Sequence, residues 1–178
     1  MNSEDHLQRL WAPYRMSYVR GEEPNSGLKS DDSCPFCRIA GGGAQSELVV
    51  HRGATCFVVL NLYPYNPGHL MVVPQRHVAD YTDLDDVETA EVATLTQEAL
   101  RAIRTASQPH GFNVGLNLGG VAGGSLSQHL HQHVVPRWSG DANFMTVLGR
   151  TKTLPQLLED TRDLLADAWP DATSKDAP

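Results

Sequence analysis

Apolar residues fall into short continuous runs over the first part of the chain and into helical stripes later. Residues 46–51, 56–61 and 69–74 are brief, rich in valine and leucine and bounded by turn formers, a pattern that predicts three strands. The second and third are joined by Tyr63-Pro-Tyr-Asn-Pro-Gly68, so an antiparallel meander is expected. Across 86–106, Val92, Leu95, Ala99 and Ile103 recur at helical spacing, behind acidic residues that suit the positive end of a helix dipole. Residues 111–118 read as a strand, 119–124 as a loop and 127–136 as a further strand. In 153–169, Leu157, Leu158, Leu164 and Leu165 mark a C-terminal helix that Pro170 would end. Strands segregated from two helices indicate an α+β domain built on an antiparallel sheet. The divisions are an N-terminal extension over 1–33, a domain over 34–150, and a C-terminal helix and tail over 151–178. Within the extension, 10–19 is aromatic enough to pack on its own domain or on a neighbouring subunit, and 21–33 reads as a linker or loop.

Composition narrows the class. The chain has 178 residues, enough for one domain with a real core; 40% are hydrophobic and 20% charged, as in ordinary globular proteins. No run approaches the roughly 18 apolar residues of a membrane span, and the N-terminal Met-Asn-Ser-Glu-Asp-His has no apolar core behind it. A cytoplasmic location is expected. The net charge of -7 argues against a nucleic-acid or membrane partner, whose basic footprint would be visible. A single nucleotide can still bind through a few aimed donors. Of three cysteines, Cys34 and Cys37 form a C-x-x-C pair, which in a cytosolic chain reads as metal or redox chemistry. Cys56, inside an apolar run, reads as a small core residue.

Chemistry concentrates in Ser-Gln-His-Leu-His-Gln-His-Val-Val-Pro-Arg-Trp, where His129, His131 and His133 occupy every second position. On a strand these would share one face. The plain alternatives are a purification tag and a solvated polar strand, and a tag would be terminal and uninterrupted. Immediately upstream, Asn117-Leu-Gly-Gly-Val-Ala-Gly-Gly-Ser125 is crowded with glycine and can turn backbone N–H groups toward an anion. A phosphate cradle beside imidazoles suits phosphoryl or nucleotidyl transfer, which depends chiefly on positioning and charge stabilisation. The central His131 is best placed to attack phosphorus, His133 can donate to the phosphate, and Ser125 can hydrogen-bond the leaving oxygen. A backbone carbonyl can orient an imidazole as well as a carboxylate can.

His-Leu-His-Gln-His-Val-Val, with Gly-Gly-Ser-Leu-Ser-Gln before it and Pro67-Gly-His-Leu-Met-Val-Val-Pro-Gln-Arg-His77 earlier, resembles the histidine triad nucleotide-binding proteins over roughly 34–140. The resemblance implies an HIT-like five-stranded antiparallel sheet with a long helix, a homodimer or tetramer, and action on phosphate-linked adenosine compounds. It makes His131 the covalent acceptor of the nucleotidyl group, with His129 and His133 beside it and His69 as a fourth, orienting histidine. Asn61 falls at the ribose position, Phe36, Val59 and Leu62 at the base pocket, and Asn117, Gly124 and Ser125 at the phosphate loop. Residues 10–19, 137–145 and 149–152 resemble the bacterial diadenosine tetraphosphate phosphorylase branch. That branch implies conversion of an adenine dinucleoside polyphosphate and inorganic phosphate to ATP and ADP. Hydrolysis of dinucleoside polyphosphates or phosphoramidates, and nucleotide sensing with little turnover, are the alternatives. Trp138 is either a wall of the substrate site or a core or interface aromatic. Gln132 stands where the family usually has an apolar residue, on the side away from the catalytic face. Some members complete a zinc site with the residues matching His77 and His129, so Cys34, Cys37, His77 and His129 would hold structural zinc, and the chemistry would need no cofactor.

Overall fold

The computed structural model describes residues 34–43, 45–123, 126–141 and 154–170. The aromatic segment at 10–19, Gly124, Ser125 and the segment 142–153 lie outside the described residues, as does most of the proposed tail. The elements are α1 (Pro35–Ala40), β1 (Val49–Arg52), β2 (Cys56–Leu60), β3 (Leu70–Pro74), α2 (Asp86–Ser107), β4 (Gly111–Leu116), β5 (Gln132–Arg137) and α3 (Leu158–Asp167). All five strands pair antiparallel in the order β1-β2-β3-β5-β4. The expected α+β fold and meander are therefore present. Among the described residues no helix is long and apolar enough to cross a membrane.

Every residue of β2 and β3 is buried, which explains runs without a polar alternation: these strands have protein on both faces. Cys56↔Pro74 and Leu60↔Leu70 bracket their register. The connection is closed by Asn61 N–H donating to the His69 carbonyl at 2.9 Å and His69 N–H to Asn66 O at 3.1 Å. Gly68 makes this return at φ +74°, where a side chain would be strained.

The long helix α2 begins with a reciprocal capping box between Asp85 and Glu88. Its buried stripe includes Val92, Leu95, Ala99 and Ile103, the positions its periodicity marked. Glu88 is also held by Arg76, through Nε at 2.9 Å and Nη2 at 2.6 Å, which anchors the segment that carries His77. Arg76 holds the Glu88 carboxyl below its usual range. Glu91 on the same helix accepts the backbone N–H groups of Ala54, Thr55 and Cys56 at 2.6–2.8 Å, tying down the β1–β2 turn.

Three expectations change. The first half of 46–51 is a single 3-10 turn, Ser46–Leu48, with the strand following it. Of the four leucines expected on the C-terminal helix, Leu157 is the extended, exposed residue before α3 begins, Leu164 is partly exposed, and only Leu165 is fully buried. A helix seats one stripe, here Leu158, Thr161 and Leu165, and residues one position away rotate about 100° off it. The histidine run is not one strand: β5 starts at Gln132, so only His133 of the three lies on it. Leu130 N–H donates to Val78 O at 2.6 Å, which takes the chain off the sheet before β5 begins.

Candidate active site and metal centre

The imidazoles diverge because the backbone bends between them. His131 sends Nδ1 to the carbonyl of His129 at 2.8 Å. A carbonyl only accepts, so Nδ1 carries the proton and Nε2 keeps its lone pair. His131 is tilted against Phe36 (ring centroids 5.1 Å) and edge-on to His133 (4.9 Å), and it lines a cleft that Phe36 also walls.

A second chain of bonds sets the tautomer of His133. Tyr65 N–H, a pure donor, points at His69 Nδ1 at 3.1 Å, so neutral His69 is protonated on Nε2. That Nε2–H donates to His133 Nδ1 at 2.9 Å, which leaves the His133 proton on Nε2. Asn117 Nδ2 stands 3.4 Å from that nitrogen; in this tautomer both carry protons, so they do not bond each other and are two donors side by side. Tyr65 also stacks on His69 at 4.9 Å. The arrangement offers one imidazole with a free lone pair beside another presenting an N–H.

Burial lowers all three pKa values. His69 falls to about 3, from desolvation first and then from His133 and His131. His133 falls to about 4, from desolvation and then His131, and His131 is lowered chiefly by burial. Neutral rings near pH 7 suit a nucleophile. They also make stability depend on acid. Unfolded imidazoles protonate near 6.5, whereas folded His133 and His69 wait until about 4 and 3. Below 6.5 the unfolded chain therefore binds more protons, and stability complete above that value falls with pH. Each group should contribute a slope on the order of 1.4 kcal/mol per pH unit in that window. Denaturant melts at pH 7, 6 and 5 should show it, and His69→Asn should make the slope shallower; an unchanged slope would refute the assignment.

The cleft is about 630 Å³, a size suited to a small-molecule ligand. Of the sequence-marked substrate residues, Phe36, Val59, Asn61, Leu62 and Asn117 line it together with His131 and His133. Trp138 is not brought there: it lines a separate depression with Pro67 and Leu164, and its indole N–H donates to Ser107 O at 3.3 Å. Tyr65, Met71, Arg38 and Ile39 are lining residues that sequence reasoning missed. Tyr65 carried a signal, an aromatic four residues before His69. Asn61 Oδ1 caps Tyr63 N–H at 2.9 Å, which fixes the amide at the cleft wall.

The ring of His129 turns toward the C-x-x-C pair. Its Nδ1 is 3.3 Å from Cys34 Sγ and 3.6 Å from Cys37 Sγ, while His77 Nδ1 is 3.2 Å from Cys37 Sγ. All four ligand atoms lie within 4.8 Å of one another. A tetrahedral zinc with ordinary Zn–S and Zn–N bonds needs ligand-to-ligand edges of about 3.3–3.8 Å. The cluster fits. His129 Nε2 is 2.9 Å from Pro74 O, a bond that fixes the ring with Nδ1 toward the ligand set. Two thiolates would also balance the ion's charge in this largely buried place. Gln132, on the other face of the sheet, donates to Thr96 Oγ1 on α2 at 2.6 Å, so its polar amide is satisfied without entering the cleft.

The chain is similar to known proteins over most of its length. A protein of Mycobacterium tuberculosis named AP-4-A phosphorylase is 56% identical over 173 residues, covering 95% of this chain and 88% of its own length. A zinc-bound histidine triad family protein from Mycobacterium smegmatis superposes with a TM-score of 0.65 at 29% identity, covering 78% of this chain and 94% of its own. Diadenosine triphosphate hydrolase from Plasmodium falciparum shares the fold, with a TM-score of 0.56 at 20% identity, over 68% of this chain and 75% of its own. The HIT domain model matches residues 43–140, and on that match and the Mycobacterium tuberculosis relative this chain belongs to the HIT domain family.

Proposed function

We propose that this protein is a nucleotidyltransferase that phosphorolyses diadenosine tetraphosphate to ATP and ADP through an AMP–His131 intermediate. The observation that carries the chemistry is the 2.8 Å bond from His131 Nδ1 to the His129 carbonyl, which leaves Nε2 as a nucleophile at the cleft. The substrate is supported by the Mycobacterium tuberculosis relative, named AP-4-A phosphorylase and alike over nearly the whole chain.

In the first step the Nε2 lone pair attacks an α-phosphorus. The P–N bond forms, the bond to the bridging oxygen breaks, and ATP leaves with that electron pair. The His133 Nε2–H and the Asn117 amide donate to the phosphate oxygens, where negative charge builds up. His69 holds His133 in the donating tautomer and so acts as a positioning residue. In this reading Phe36, Val59 and Leu62 wall the adenine, Asn61 takes the ribose hydroxyls, and Gly124 and Ser125, outside the described residues, complete the phosphate cradle. In the second step an oxygen of inorganic phosphate attacks the same phosphorus, the P–N bond breaks, ADP leaves, and His131 is restored. Attack in line with the P–N bond requires the acceptor to enter where ATP departed.

His129 serves this site through its backbone carbonyl, while its ring joins Cys34, Cys37 and His77 as a zinc ligand. Zinc there supplies structural cross-linking; the transfer itself needs no cofactor. A cytoplasmic setting, where thiols stay reduced, suits a cluster that uses Cys34 and Cys37 as ligands. Strand β4 ends the sheet with Val114 half exposed, a surface that suits assembly with a second copy. The 34–150 unit is taken as the nucleotide-binding domain, with the C-terminal helix packed on it through Leu165.

Incubating diadenosine tetraphosphate with and without phosphate tests the reaction. ATP and ADP should form only when phosphate is present. Formation of ATP and AMP regardless of phosphate would make the protein a hydrolase, and binding without turnover would make it a sensor.

A further inference from the structure

Beyond His133 the cleft runs into a second depression of about 720 Å³ over β4 and β5. On β5 the side chains of His133, Val135 and Arg137 share a face by the two-residue repeat of a strand. Their partners on β4 are Gly115, Asn113 and Gly111. A Cβ built at either glycine meets nothing within 4 Å, so this face is an open trough. Tyr65, Asn117 and His133 line both depressions, which makes the trough continuous with the reacting centre.

Arg137 stands at the far end. Its Nη1 donates to Asn113 Oδ1 at 2.8 Å, and Asp141 accepts from Nε at 2.6 Å and from Nη2 at 3.1 Å. Asp141 is itself fixed by the Asn66 amide at 2.7 Å. Among the described residues these bonds use three of the five guanidinium N–H groups, leaving one on each terminal nitrogen. The side chain is 48% exposed. Asp141 reduces the net charge of the pair, but it also fixes the guanidinium plane, so the remaining donors are aimed.

We propose that the trough is the track of the departing nucleoside triphosphate, and that Arg137 is a specificity-determining residue holding that leaving group's far phosphates. The proposal rests on the transfer reaction above. Cα atoms four residues apart on a strand are about 13 Å apart, a span that a triphosphate chain and the reach of an arginine together cover. A leaving group of one phosphate, released at His131, stops short of Arg137. The trough therefore favours long phosphate chains.

Two reactions share AMP transfer to His131 and differ in leaving group. Phosphorolysis of diadenosine tetraphosphate expels a triphosphate, whereas exchange of labelled inorganic phosphate into ADP expels a single phosphate. Arg137→Ala should lower kcat/KM for the tetraphosphate about 10- to 100-fold relative to the exchange rate, the scale of one or two lost charge-assisted hydrogen bonds. Arg137→Lys should recover part of that ratio. Gly111→Asp sets a carboxylate opposite Arg137 without removing any contact, and should lower the same ratio; it carries the test if Arg137→Ala does not fold. Equal losses in both reactions, no loss in either, or an unchanged ratio in Gly111→Asp would overturn the proposal. Wild-type protein inert in both reactions would overturn the functional reading on which it rests.

Discussion

Replacing His131 with alanine is expected to abolish the AMP–enzyme and to lower turnover of diadenosine tetraphosphate by about 10⁴-fold or more, the scale seen when a covalent nucleophile is removed. No other described imidazole is placed to take over. His133 directs its Nδ1 at His69, and His129 is bound up with the cysteines. The lost ring leaves space against Phe36 and His133, so the variant should be somewhat less stable but still folded. Intact mass after brief mixing with substrate reads the adduct directly, and near-ultraviolet dichroism checks the fold. Covalent AMP on a folded His131→Ala protein would show that the nucleophile lies elsewhere. His133→Ala should still form the adduct, only about 10²- to 10³-fold more slowly, as for loss of one donor to a developing charge.

The parts of this molecule that were legible in sequence are those where local pattern and tertiary environment agree. In α2 the apolar spacing, the acidic first turn and the capping pair all specify one helix, and the buried face matches Val92, Leu95, Ala99 and Ile103. In β2 and β3 unbroken apolar runs reflect burial on both faces. Legibility fails where tertiary contacts overrule the pattern. Six-residue α1 has only Phe36 and Ile39 buried and no side-chain cap, too little for a periodic signal. The alternating histidines imitate a strand, yet the cysteine cluster and the Leu130–Val78 bond hold His129 and His131 off it. Phe36, Val59, Asn61, Leu62 and Asn117, which the family resemblance implied, nevertheless line one cleft with His131 and His133. What changed is the division of labour. His129 was contested between zinc and catalysis, and the structure gives its ring to the cysteines and its carbonyl to His131. The unexpected Gln132 has an equally local explanation, a hydroxyl waiting on α2, which no one-dimensional pattern could reveal.

Stripping the zinc proposed for the cysteine–histidine cluster is expected to weaken both the fold and the active site, because one short segment belongs to each. A six-residue helix does not hold itself together in water. In α1 the N-terminal flank Cys34 and the internal Cys37 reach the cluster, while Phe36 packs on the rings of both His129 and His131. Loss of the cross-link should free α1, displace the Phe36 wall of the cleft and loosen the His129 carbonyl that orients the nucleophile. Zinc-dependent folding energy in small domains reaches about 10 kcal/mol or more. The packed sheet here keeps most of the fold without it, so a loss on the order of 4 kcal/mol and a Tm lower by roughly 10 °C are expected. Cys37→Ala should reproduce the effect and lose the metal, whereas Cys56→Ala, which removes a buried core thiol outside the cluster, should retain it. Elemental analysis should give one zinc per chain in untreated protein. Affinity for AMP, read by calorimetry, should fall in the metal-free form because Phe36 has moved. A chelator-treated sample that is metal-free by elemental analysis, yet melts with untreated protein and binds AMP equally well, would remove zinc from the account and leave the four residues as a hydrogen-bonded cluster.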